Sequence, residues 1–139
     1  MAQTRSRRWT VRLDAEFGHR DVTTEVAQLV AESGVRDGMA VVSLTGSTGA
    51  VTTIEYEAGA LADLRRALDG LAPAGEDYAH NARWGDGNGF SHVRSALLKP
   101  SLALPIVDGK LHVGTWQQIV VINLDNRPRE REVVAVVVG

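Results

Sequence analysis

The segment QIVVINLDNRPREREVVAVVV, residues 118–138, decides the fold class. Gln118–Leu124 and Arg131–Val138 are β-branched runs of strand length, separated only by the turn-rich Asp125–Pro128. Two strands therefore follow one another with no helix between them. The closing VVAVVVG, residues 133–139, is apolar on both faces and needs cover on both sides, from the core or from a neighbouring subunit.

Working outward, Leu102–Pro105 and Lys110–Val113 flank the tight-turn signal Val107-Asp108-Gly109. Arg8–Leu13 alternates like a strand, Met39–Leu44 reads as a short buried strand, and Ala50–Tyr56 is again β-branched. Two helices are predicted. In Val22–Ser33, Val22, Val26, Leu29 and Val30 fall at helical spacing, with Asp21 as N-cap and Gly34 just past the end. In Ala58–Leu71, Leu61, Leu64, Leu68 and Leu71 share a side, and Pro73 stops the helix. Strands and helices do not alternate strictly, so the chain is α+β: one domain over residues 1–139, a mostly antiparallel β-sandwich flanked by two principal helices.

A net charge of -2 gives no electrostatic case for binding nucleic acid. The absence of cysteine removes disulfides and thiolate metal sites. No leader pattern and no apolar run of membrane-spanning length is present, so the expected compartment is the cytoplasm and no membrane partner is expected.

Residues 80–100, HNARWGDGNGFSHVRSALLKP, follow neither strand nor helix periodicity as a whole, though His92–Leu98 reads as a short helical turn. Gly85, Gly87 and Gly89 alternate there with Asp86, Asn88 and Phe90, a pattern suited to a site. His80 and His92 flank Asp86, and imidazole with carboxylate serves proton transfer near neutral pH or a divalent metal. The spacing matches no zinc signature, and hydrogen-bonded structural histidines are the plain alternative. Residues 45–55, TGSTGAVTTIE, place Ser47 and Thr48 in a small turn whose hydroxyls and amides can cradle a phosphate or carboxylate. It is no P-loop, since no Lys follows the glycines. Glu55 is a candidate base or ligand. In Gly114–Gln118, Trp116 can stack on a ring or fill the core, and Gln117 and Gln118 need hydrogen-bond partners if buried.

Taken together, GSTGAVTTIEYE, the block HNARWGDGNGFSHVRSALLKPSLALPIVDGKLHVGTWQQI and the tail DNRPREREVVAVVVG resemble the YjbQ-type family, described as secondary thiamine-phosphate synthases. The resemblance runs from about Val41 onward, and the first forty residues are compatible with it. It implies a small α+β domain that forms a homotrimer, with a site near the subunit interface built from the three segments. Many members carry His-Thr-Thr where this chain has Gly46-Ser47-Thr48, and His-x-His where it has Phe90-Ser91-His92. With two imidazoles absent, a hard, oxygen-rich Mg²⁺ site or none is expected in place of a transition-metal site.

The implied reaction condenses hydroxymethylpyrimidine diphosphate with a thiazole phosphate and releases pyrophosphate, as the main or a side activity. His80, Asp86 and His92 are then the expected catalytic or metal-binding groups. Ser47, Thr48, Glu55, Arg83, Trp84, Asn88, Arg94, Trp116 and Gln117 would contact substrate: hydroxyls and arginines at phosphate, tryptophans on the pyrimidine. Two alternatives stand beside it, a metal-assisted hydrolase of a small phosphorylated metabolite and a non-catalytic trimeric ligand-binding protein.

Overall fold

The computed structural model describes residues 3–139. In chain order the elements are β1 (Thr4–Leu13), β2 (Gly18–Asp21), α1 (Thr23–Ser33), β3 (Gly38–Leu44), β4 (Gly49–Ile54), α2 (Ala58–Leu71), α3 (Ala79–Trp84), α4 (Gly89–Leu98), β5 (Ser101–Val107), β6 (Lys110–Leu111), β7 (Gln118–Asn123) and β8 (Arg129–Val138). The larger sheet has the order β1-β8-β3-β5-β6 and the smaller β2-β7-β4. Every pairing is antiparallel. The α+β reading therefore holds, with the two strands of residues 118–138 sent to different sheets.

That division follows from burial. β7 is apolar on successive positions, and Ile119, Val120, Val121 and Ile122 are all fully buried. Ile119 and Val121 face the larger sheet and α1, packing with Val42, Val133 and Ala135. Val120 and Ile122 face the other way, onto Leu61 and Leu68 of α2. A strand covered on both sides has no use for alternation. β8 alternates instead: Arg131, Val133, Ala135 and Val137 point inward, while Val134, Val136 and Val138 lie half-buried on the outer face.

The predicted helices form where expected, with local differences. Asp21 stands one residue before the cap position, yet its carboxylate accepts hydrogen bonds from the Thr23 amide and hydroxyl, at 2.9 and 2.6 Å. Gly34 closes α1 in the left-handed conformation, φ 71°. In α2, Leu61 and Leu68 are buried, but Leu71 at the open end is 72% exposed. Two further helices lie in the glycine-rich run: α3, which was not expected, and α4, which extends the short helical turn expected at His92–Leu98 back to Gly89. The buried face of α4 is Phe90, Ser91, Arg94 and Ser95, which is mainly polar and so leaves no apolar period to read. Among the described residues, no helix is long and apolar enough to cross a membrane.

Candidate functional site

The β3–β4 turn, the α3–α4 junction and the β7–β8 turn meet at one end of the small sheet. They enclose a cleft of about 380 Å³ lined by Ser47, Thr48, Asp86, Asn88, His92, Asp125 and Arg131, among others. A neighbouring groove runs over Asn126, Arg127 and Arg129.

Asp125, 1% exposed, is the hub of the floor. Its carboxylate accepts from Thr48 Oγ1 at 2.9 Å, Asn88 Nδ2 at 3.0 Å and the Arg127 amide at 3.0 Å. The Arg129 Nε lies 3.2 Å away, an ion-pair distance without hydrogen-bond alignment. Burial alone would raise the Asp125 pKa. The hydrogen bonds from Asn88, Thr48 and the Arg127 amide, with the Arg129 charge, outweigh it and hold the carboxyl below its ordinary value. Arg131, also buried, donates from Nη2 to Thr48 Oγ1 at 2.5 Å and to Asn123 Oδ1 at 2.8 Å. Burial lowers its pKa; the Asp125 charge opposes that shift and the Arg129 charge adds to it.

Asn88 ties this floor to the helices. Its Oδ1 accepts from Ser91 Oγ at 2.5 Å and from the Asn126 amide at 3.1 Å, so the start of α4 is fixed to the β7–β8 turn. At the mouth, His80 and His92 bring their ring centroids within 4.3 Å. Asp86 Oδ1 stands 3.3 Å from His80 Nδ1, a nitrogen that is buried and lacks an aligned hydrogen-bond partner. Gly85 makes the close return possible: it caps α3 in the left-handed conformation, φ 64°, and lets the chain double back from His80 to Asp86. Such an arrangement can hold and move a proton.

It does not build a metal cage. Among the described residues no group of three or more His, Asp or Glu side chains is placed to hold a metal ion. His80 and Asp86 form a pair, and the His92 ring lies against the His80 ring, tilted 41° to it. The expected Mg²⁺ set of His80, Asp86 and His92 thus does not fit this geometry without ligands from elsewhere.

The remaining expected site residues fall into four groups. Ser47, Thr48 and Asn88 line the cleft. Arg94 does not: it is 2% exposed, donates from Nε to Ala72 O and from Nη2 to Asp69 at 2.9 Å each, and stacks over Phe90. The end of α2 presents a carbonyl in need of a donor, and Arg94 supplies it. Arg83 lies over the ring of Trp84, which is 65% exposed on α3.

Glu55 and Trp116 gather at the opposite end of β4, in a second depression of about 420 Å³ that also includes Asp21, Tyr56 and Gln118. Thr48 and Glu55 are seven residues apart along extended chain, roughly 20 Å. Trp116 is not core but 72% exposed. Gln117 donates to Thr53 Oγ1 at 3.3 Å, and Gln118 accepts from the Tyr56 amide at 2.9 Å, so both amides are used. One chain therefore joins two of the three predicted segments and holds the third apart.

Asn123, Asp125, Arg129 and Arg131 carry the floor and were not among the expected residues. Arg131 leaves a legible signal: it occupies an inward position in the alternation it shares with Val133, Ala135 and Val137. An arginine in that register must be buried with partners.

The family model for UPF0047 YjbQ-like proteins matches residues 7–139. The chain belongs to the UPF0047/YjbQ-like family. A UPF0047 protein of Methanothermobacter thermautotrophicus is 37% identical over 119 residues, which cover 86% of this chain and 81% of the relative. A crystal structure of a YbjQ-like protein of unknown function from Sulfolobus solfataricus superposes with TM-score 0.93 at 27% identity, covering 100% of this chain and 99% of that one. A YjbQ/UPF0047 protein of Clostridium acetobutylicum gives TM-score 0.85 at 32% identity, covering 94% and 98%. The YjbQ-like fold is common to this chain and both solved structures.

Proposed function

We propose that this YjbQ-like protein is a transferase that joins hydroxymethylpyrimidine diphosphate to a thiazole phosphate and releases pyrophosphate. The observation that carries the reading is the meeting of His80, Asp86 and His92 at the mouth of a polar cleft. In this reaction the thiazole nitrogen attacks the pyrimidine methylene carbon as the carbon–oxygen bond to the diphosphate breaks. The departing oxygen keeps the electron pair, and His92 or His80 supplies the proton that eases its release. Asp86 holds the imidazole pair oriented. The exposed Ser47 hydroxyl is positioned to touch phosphate, and Trp84 offers a face for the pyrimidine.

The assembly proposed with this reading is a homotrimer acting in the cytoplasm. Val134, Val136 and Val138 pair in register with Ser43, Val41 and Met39, giving the large sheet an outer face that is mostly apolar and only half covered within one chain. A neighbouring copy on that face would cover it. It could also bring its own Glu55 and Trp116 toward the cleft, reuniting the three segments. A sedimentation mass of one chain at micromolar concentration would remove the trimer.

The activity test is direct. Purified protein given both precursors and Mg²⁺ should form thiamine phosphate and pyrophosphate in equal amounts. No product above a His92→Ala control defeats the reading. Turnover of simple phosphate esters instead would assign a hydrolase, and ligand-induced thermal stabilisation without turnover a binding protein.

A further inference from the structure

Arg131 is a buried cation whose donors are not all used. Nε and Nη2 are engaged by Asn123 and Thr48. Nη1 makes no hydrogen bond among the described residues and faces Gly46, where an added Cβ would collide with it. Gly46 has φ 128° and lines the same cleft. A guanidinium 7% exposed, fixed by two neutral acceptors and presenting one free N–H pair to a cleft, is prepared for an anionic oxygen. The carboxylates on the cleft, Asp86 and Glu130, stand on its exposed side, while Asp125 below is saturated by its own donors. One anionic group can therefore reach the floor, and a second at the mouth would meet negative charge.

We propose that Arg131 Nη1 is the anchor of a phosphate subsite at the Gly46–Thr48 turn, and that it takes the phosphate monoester end of a ligand, leaving the rest at the mouth. This rests on the transferase reading for the identity of the ligand, where it assigns the thiazole phosphate to the floor.

Inorganic phosphate and pyrophosphate, titrated calorimetrically into the intact protein, test it. Phosphate should bind the wild type, and Arg131→Met should weaken it about 10- to 100-fold. Gly46→Ala, which keeps the arginine but fills the space before Nη1, should weaken it comparably. Arg36→Ala, at a remote surface ion pair, should leave it unchanged. If Arg131→Met does not fold, Gly46→Ala decides. Undiminished phosphate affinity in a folded variant of either kind overturns the subsite. Pyrophosphate binding more than about tenfold tighter than phosphate overturns the monoester assignment. Arg131-dependent phosphate binding with no thiamine phosphate made would keep the subsite and discard the transferase. Thiamine phosphate made while both variants bind phosphate normally would do the reverse.

Discussion

Asp125→Ala is expected to destabilise the protein by about 3–5 kcal/mol, read as a lower urea midpoint with an unchanged slope. The carboxylate is fully buried and receives three hydrogen bonds and an ion pair. Its removal leaves Asn88 Nδ2 without an acceptor and strands the Arg129 and Arg131 charges near one another. A loss under about 1 kcal/mol would show that the network relaxes or admits water, and that Asp125 is not the hub of the floor. The same group shapes acid unfolding. Its folded pKa lies below the unfolded value of about 3.9, so the stability it contributes is complete above that value. That contribution is lost as the pH falls through the folded pKa. Asp125→Asn keeps the shape without the titration, and its stability should change less with pH in that acid window.

His92→Ala is expected to lower turnover by about 10²- to 10⁴-fold while moving the unfolding midpoint little. His92 is half-buried, lies tilted against the His80 ring and forms no hydrogen bond through its ring among the described residues, so few structural contacts go with it. The contrast is Arg94→Ala, two residues along α4. That change removes the donors to Ala72 O and Asp69 and should act on stability. Retention of full turnover by a folded His92→Ala protein would remove the proton-transfer role.

Sequence patterning was most legible where burial is one-sided and apolar. The spacing of α1 and the span of α2 both follow from hydrophobic side chains facing a core. It reached only a short turn, His92–Leu98, of α4, whose inward face is polar yet satisfied: Ser91 bonds Asn88, Ser95 bonds Gly49 O and Arg94 bonds Ala72 O. A hydrophobicity period cannot register a helix held down by hydrogen bonds. His80, Asp86, Asn88 and His92 stand out in the sequence because glycine-rich chain concentrates polar groups there. The Asp125 floor was missed because the side chains that bond its carboxylate, Thr48 and Asn88, come from two segments far from the β7–β8 turn, and pairing across such distances leaves no local trace. Arg94 was misplaced for the opposite reason, since a guanidinium near a site looks the same in sequence whether it faces ligand or a helix end.

The order of the large sheet carries a consequence for how the chain acquires its structure. β8, later in the chain than every other element, lies between β1 and β3, which do not touch one another in the sheet. During synthesis these two early strands stay unjoined until residues 129–138 leave the ribosome. Sheet closure thus depends on contacts of very long sequence separation and must be slow relative to helix formation. Until then the nascent chain exposes two unpaired strand edges, so it would be most exposed to misassembly just before its last strand arrives.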